Sequence, residues 1–273
     1  MLMAGSFVGV EFANYESGAQ SVQKCSLGAK VTLRVLDLIR IGAEPRELSL
    51  PAVLSMMEEL ESFSRGDVMS TEYVVPGQLL GGDRDPPLLD NQRWDTGLVL
   101  INTVWGSIAL EPPFPVLHRF QAEGASFGEL RQILAHDRAV GVVLLRLGAF
   151  AVGVLKADRV VAYKAGKRYV RGRHRAGGQS QRRFERNREK WIMELFNKVC
   201  QACRDIIEPQ SFDHLIFGGD RQVLLKFRRQ CPRLGRFESR VLSRVVPVNR
   251  PDRDSLKRAN RHIWASRVFV YKP

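Results

Sequence analysis

Two glycines and a glutamine, Gly177-Gly178-Gln179, stand between two arms of arginine in the run Arg171-Gly172-Arg173-His174-Arg175-Ala176-Gly177-Gly178-Gln179-Ser180-Gln181-Arg182-Arg183-Phe184. Consecutive glycines carry no Cβ, so their backbone takes positive φ readily and can press close to another surface. Arginines on both sides are suited to grip phosphates. The glutamine adds a neutral amide that can place a water or a polar leaving atom, and a second glutamine, Gln181, stands two residues on. The triplet alone is a weak motif, and its flanks give it weight.

The stretch from Arg171 to Arg188, with Gly-Gly-Gln-Ser, then Arg183-Phe184, then a charged helix, resembles the catalytic loop of the class-one release factors of archaea and eukaryotes. It is more similar still to their relatives, the release-factor-like peptidyl-tRNA hydrolases of ribosome quality control and their bacterial branch. In those the pattern is Gly-x-x-Gln, often with Ala-Gly-Gly before it and Ser-Gln-x-Arg-Phe across it. Gly178-Gln179-Ser180-Gln181 satisfies that version too, so Gln179 and Gln181 both stand as candidates.

The resemblance implies hydrolysis of the peptidyl-tRNA ester. Gly177 and Gly178 would let the loop enter the peptidyl-transferase centre, and the glutamine N–H would stabilise the developing charge or the leaving ribose oxygen while its side chain places water. Such an ester is activated, so water attack needs positioning and oxyanion stabilisation more than a strong base. His174 invites a general-base role, but the family's chemistry does not rely on a protein imidazole. A phosphate or base-stacking contact is the preferred reading. No cofactor and no metal is implied.

Arg168, Arg171, Arg173, His174, Arg175, Arg182, Arg183 and Arg186 are the expected RNA contacts. The expected partners are the large ribosomal subunit, peptidyl-tRNA and rRNA phosphates. True release factors carry a codon-reading domain before the catalytic one and a partner-binding domain after it. Here the leading segment is acidic and unlike a codon reader, and the chain ends soon after the catalytic unit. The expectation is therefore codon-independent peptide release on stalled ribosomes or large subunits. Two alternatives stay open: a non-catalytic ribosome- or rRNA-binding factor using the same basic face, and a nuclease of the tRNA acceptor end, which would need an acid/base pair or metal site.

Charge divides the chain sharply. Residues 1–137 hold 10 Lys+Arg against 18 Asp+Glu, while residues 138–273 hold 32 against 11. Opposite fields suggest separate tasks, so we expect an acidic N-terminal domain at 1–125, of unknown role and partner, and a basic catalytic domain at 126–273. Residues 156–190 alone carry 13 Lys+Arg and 3 Asp+Glu. Arg182, Arg183 and Arg186 fall in the first two turns of a helix expected from Ser180, where the macrodipole disfavours cations by roughly 0.3–1 kcal/mol each. Glu185 and Glu189 offset them only in part. Phosphates outside the fold are the natural compensation. An anionic membrane competes for such a field, but no helix shows a spare apolar face, and no membrane partner is expected.

Periodicity predicts an α/β chain, α+β overall: a mixed sheet with covering helices in the catalytic domain and a smaller α+β N-terminal domain. Strands are expected at 30–41, 98–110, 140–147, 149–155, 159–163, 212–217 and 241–248, with helices at 50–63, 126–134, 180–206, 222–230 and 255–265. The basic loop is expected to open at Lys164, and Ser126 with Glu129 suggests a capping box. The first 20 residues hold no Lys or Arg, which excludes a cleavable signal and points to the cytoplasm. Cys25, Cys200, Cys203 and Cys231 are too few and scattered for a disulfide framework. Cys200 and Cys203 read as small residues one helical turn apart, with zinc or redox sensing as the lesser alternative.

Overall fold

The computed structural model describes residues 35, 45–78, 94–135, 137–157, 159–168, 170 and 179–271. The strand expected at 30–41 lies outside them apart from Val35. Strands β1 (Arg46–Leu48), β2 (Val68–Val74), β3 (Leu98–Thr103), β4 (Gly106–Glu111), β5 (Phe120–Glu123) and β11 (Ser266–Tyr271) form an antiparallel sheet in the order β1-β11-β4-β3-β2-β5. Alternation sends Val99, Ile101, Ile108, Leu110, Val268 and Val270 to one face, where helix α1 (Leu50–Glu61) buries Val53, Met56, Met57 and Leu60. Trp94, Leu98, Leu100, Ala109 and Phe269 cluster on the other face. The strand expected over 98–110 is in fact two, turned at Val104-Trp105 ahead of Gly106 at φ 142°.

The second sheet holds β6 (Ala139–Arg146), β7 (Ala149–Lys156), β8 (Arg159–Lys167), β9 (His214–Gly219) and β10 (Val241–Val246) in the order β10-β9-β6-β7-β8. Strands β10, β9 and β6 run parallel, and β7 runs against both β6 and β8. Helices α3 (Gln179–Ile206) and α4 (Arg221–Gln230) cover one face, setting Leu195, Phe196, Val199 and Phe227 against Val143, Val152 and Leu215. Helix α5 (Arg253–Ile263), started by an Asp252–Ser255 capping box, covers the opposite face with Leu256, Ala259 and Ile263. This is the mixed sheet with covering helices that periodicity predicts. A 3-10 helix (Pro232–Arg240) and the short α2 (Gly128–Ile133) complete the described elements.

Three expectations are corrected. The capping box at Ser126 does not form, because the Ser126 N–H donates to Thr71 Oγ1 and its carbonyl accepts from the Tyr73 hydroxyl; α2 begins beyond it with Phe127 as N-cap and no side-chain cap. Cys200 is disulfide-bonded to Cys231. Phe196 and Phe227 pack 5.7 Å apart where α3 and α4 share a sheet face, which brings the two cysteines to a Cα separation of 5.8 Å. Cys203 is free and buried, and burial pushes its thiol up to about 12. The third correction concerns the C-terminus, where β11 follows the last expected helix and inserts between β1 and β4.

That insertion ties the acidic and basic segments together. Arg267 of β11 stands opposite Glu111 of β4 and pairs with its carboxylate, which is only 4% exposed. The apolar core beneath α1 continues into the α5 face of the second sheet, joining Leu110 and Val268 to Val142, Leu144 and Ile216. The charge division near residue 125 is thus crossed by a strand, an ion pair and a core.

Phe114 adds a ring stack across the same line, 5.0 Å from His214 at an interplanar angle of 15°. Burial, with Arg138 and then Arg240 nearby and Asp213 opposing them, lowers the His214 pKa to about 4. The imidazole is neutral in the fold at pH values where it is protonated in the unfolded chain, so stability falls as pH drops from about 6.5 towards about 4. Below that window His214 adds no further loss. Thermal melts of the wild type and of His214→Phe should diverge in their pH dependence between pH 7 and 4.5, the variant showing the flatter profile. Parallel profiles would remove His214 as the cause.

Candidate nucleic-acid interface

Strand β8 delivers the chain to one end of the second sheet, and α3 carries it back. The strand runs to Lys167, beyond the expected stop at Tyr163, because Gly166 leaves room for the Phe150 ring: a Cβ there would lie 2.7 Å from ring carbons. Two ion pairs hold α3 along β8, Arg168 with Glu194 and Lys164 with Asp205 at 3.1 Å. The Lys164 hydrogen bond keeps the Asp205 carboxyl below the usual carboxylate range. Both partners lie on α3, far from their cations in sequence, and no sequence pattern marks them.

Arg168, just past the end of β8, pairs with Glu194 of α3. At 1.5 Å per residue, the helix between Gln179 and Glu194 is on the order of 20 Å long, so the first turns of α3 project past the sheet. Burial agrees. Leu195, Phe196, Val199, Ala202 and Cys203 are buried, whereas residues 181–190 are exposed or half-buried.

Gln179 is the first residue of this projecting helix and Gln181 the third. The opening turn of a helix presents N–H groups with no intrahelical acceptor, together with the positive end of the macrodipole. Gln181 donates its side-chain amide to Glu185 Oε1 at 3.2 Å. Arg182, Arg183 and Arg186 are exposed and make no ion pair among the described residues. Arg168, by contrast, is committed to Glu194. Gly177, Gly178, Arg171, Arg173, His174 and Arg175 lie outside the described residues. The described geometry is that of a basic stalk, the projecting first turns of α3 from Gln179 onward.

Residues 138–269, just under half of the chain, match the family described as Actinobacteria/chloroflexi VLRF1 release factor. The protein is release-factor-like. The matched region begins just before β6 and ends within β11, so it takes in the whole second sheet, α3 and the stalk. Among curated relatives, peptide chain release factor subunit 1 of Methanopyrus kandleri is 30% identical over 82% of this chain and 57% of its own length. The factor of the same name from Aeropyrum pernix is 32% identical over 29% of this chain and 21% of its own length. This release-factor-like chain thus spans only part of each. A solved archaeal translation termination factor aligns over 80% of this chain and 73% of its own at 14% identity, with a TM-score of 0.35, too low to decide anything about the fold.

Proposed function

We propose that this chain is a codon-independent peptidyl-tRNA hydrolase that acts on the large ribosomal subunit. What supports the reading is the sequence run Gly177-Gly178-Gln179, whose glutamine is the first residue of a projecting basic helix, inside a segment that matches a release-factor family. Water attacks the ester carbonyl that joins the peptide to the terminal ribose. The carbon–oxygen bond breaks, the peptide leaves as a carboxylic acid, and the ribose oxygen takes up a proton. The Gln179 N–H and the positive helix end stabilise the negative charge that develops on oxygen. Gly177 and Gly178 keep the approach free of side chains. Arg171, Arg173, His174, Arg175, Arg182, Arg183 and Arg186 hold rRNA and tRNA phosphates, and Arg168 sets the base of the stalk through Glu194.

Codon independence rests on how the acidic segment is used. Its described strands share a sheet with β11 and a core with the second sheet, an arrangement that supports a structural role for them over that of a detached codon reader. Peptidyl-tRNA on stalled ribosomes or isolated large subunits, mixed with the protein, should lose its peptide and leave full-length tRNA, whatever codon is presented. Release that required a stop codon would overturn the codon-independent part. Intact peptidyl-tRNA despite binding would overturn hydrolysis, and shortened tRNA would indicate a nuclease.

A further inference from the structure

The parallel strands β6, β9 and β10 and the strand β8 all end at the same edge of the second sheet. In open α/β sheets the crevice at the carboxyl ends of the strands is where ligands bind. Here that edge contains a cleft of about 400 Å³ lined by Arg146 at the end of β6, Ala149 at the start of β7, Asp220 after β9, and Asn249, Arg250 and Pro251 after β10. Lys167, the last residue of β8, pairs in register with Ala149, one strand away from the cleft.

Among the described residues no acid pairs with the cations at this edge. Arg146 is exposed, and among the described residues its bond is to a neutral carbonyl, that of Asn249 at 3.4 Å. Arg250 and Lys167 are exposed, and neither has an ion-pair partner among the described residues. The one acid in the lining, Asp220, is spent on the start of α4, where its Oδ1 accepts from the N–H groups of Gln222 and Val223. Coulomb repulsion between guanidinium groups around one cleft is unfavourable unless an anion occupies it. Elsewhere in the fold acids do pair with such arginines: Glu208 serves both Arg233 and Arg236, and Glu238 serves Arg228.

We propose that Arg146, Arg250 and Lys167 form a second phosphate-binding site for RNA backbone, behind the stalk at the end of the sheet. The inference rests on the reading that this chain works on RNA, and it adds a docking point on the rigid sheet, on the order of 20 Å behind the start of α3. Two anchor points separated by that distance fix the direction of the stalk as well as its position. Phosphodiesters fit the cleft better than carboxylates, because the cations stand at the ends of β10, β6 and β8, alternate strands of the sheet and so about 10 Å apart, and form a line of charge along its edge that a phosphate backbone can follow.

The test is tRNA affinity of the whole protein, measured with deacylated tRNA between 50 and 200 mM salt. Each phosphate that the protein no longer neutralises should make the slope of log affinity against log salt shallower by roughly 0.7–0.9. Arg146→Ala combined with Arg250→Ala should therefore reduce the slope by about 1.4–1.8 and weaken binding about tenfold or more near physiological salt. Lys257→Ala combined with Arg261→Ala removes the same charge from the exposed side of α5, on the other face of the sheet, and should change the slope little. Equal losses in the two double variants would show that net charge alone matters and would overturn the site. So would an unchanged slope in the first. Peptide release is read separately: a wild type that releases nothing, with tRNA binding still weakened in the Arg146/Arg250 variant, would sink the hydrolytic reading and leave the site standing.

Discussion

Gln179→Ala is expected to slow peptide release by about a hundredfold or more, while Gln181→Ala costs no more than a few-fold. The difference follows from helix geometry. Successive positions are about 100° apart around the axis, so Gln179 and Gln181 stand about 200° apart, at positions on nearly opposite sides of α3. One helix start cannot present both to a single ester. Gln181 already donates its amide to Glu185, one turn on. A surface contact of this kind is worth roughly 0.2–0.5 kcal/mol, so its removal barely moves a rate. Gln179→Ala keeps the backbone N–H but removes the side-chain amide that places the attacking water, and lost positioning of a reacting group costs on the order of 10²-fold in rate. Release under single-turnover conditions, with ribosome binding measured in parallel, separates the two. A large loss with Gln181→Ala and a small one with Gln179→Ala would assign the Gly-x-x-Gln register and force the first turn of α3 to unwind in the working complex.

The sequence revealed the part of the fold that depends on near neighbours. The apolar run Val140–Leu155, interrupted at Arg146 and Gly148, predicted β6 and β7 with a break between them, where Gly148 turns the chain at φ +104°. Helical spacing of Leu195, Val199 and their neighbours predicted the buried half of α3, and the Gly-Gly-Gln run marked its start to within a residue. What stayed hidden depends on partners distant along the chain. The Cys200–Cys231 bond joins residues 31 apart, and neither cysteine sits in a disulfide-like pattern. The clasp residues Glu194 and Asp205 look like any solvated acids on a charged helix until β8 is laid beside them. Arg146 and Arg250 lie 104 positions apart and meet only because β6 and β10 end at one edge of a sheet. Strand β11 is the largest such case: its apolar alternation is ordinary, and nothing local assigns it to the sheet of the acidic segment.

Because of β11, the fragment 126–273 is expected not to fold, despite containing the whole release-factor-like region. Removing residues 1–125 takes away all the other strands of the six-stranded sheet, together with α1. Strand β11 would then lose both neighbours, β1 and β4, and could not survive as an isolated strand. Val268 and Val270, along with parts of Val142, Leu144 and Ile263, would lose core packing to Val53, Met56, Leu60, Ile108 and Leu110. Each such side chain moved to water costs about 1.5–3 kcal/mol, so five together cost roughly 7–15 kcal/mol, as much as the ~5–15 kcal/mol that a domain has in total. Arg267 would also be left without Glu111, and His214 without its stacking partner Phe114. On this prediction the acidic segment and the basic segment fold as one unit. Circular dichroism and amide dispersion of the fragment should report an unfolded or molten chain, and adding 33–125 as a separate polypeptide should restore some structure. A fragment that melted cooperatively and released peptide on its own would show that the shared sheet is dispensable, and would support a domain boundary near residue 125.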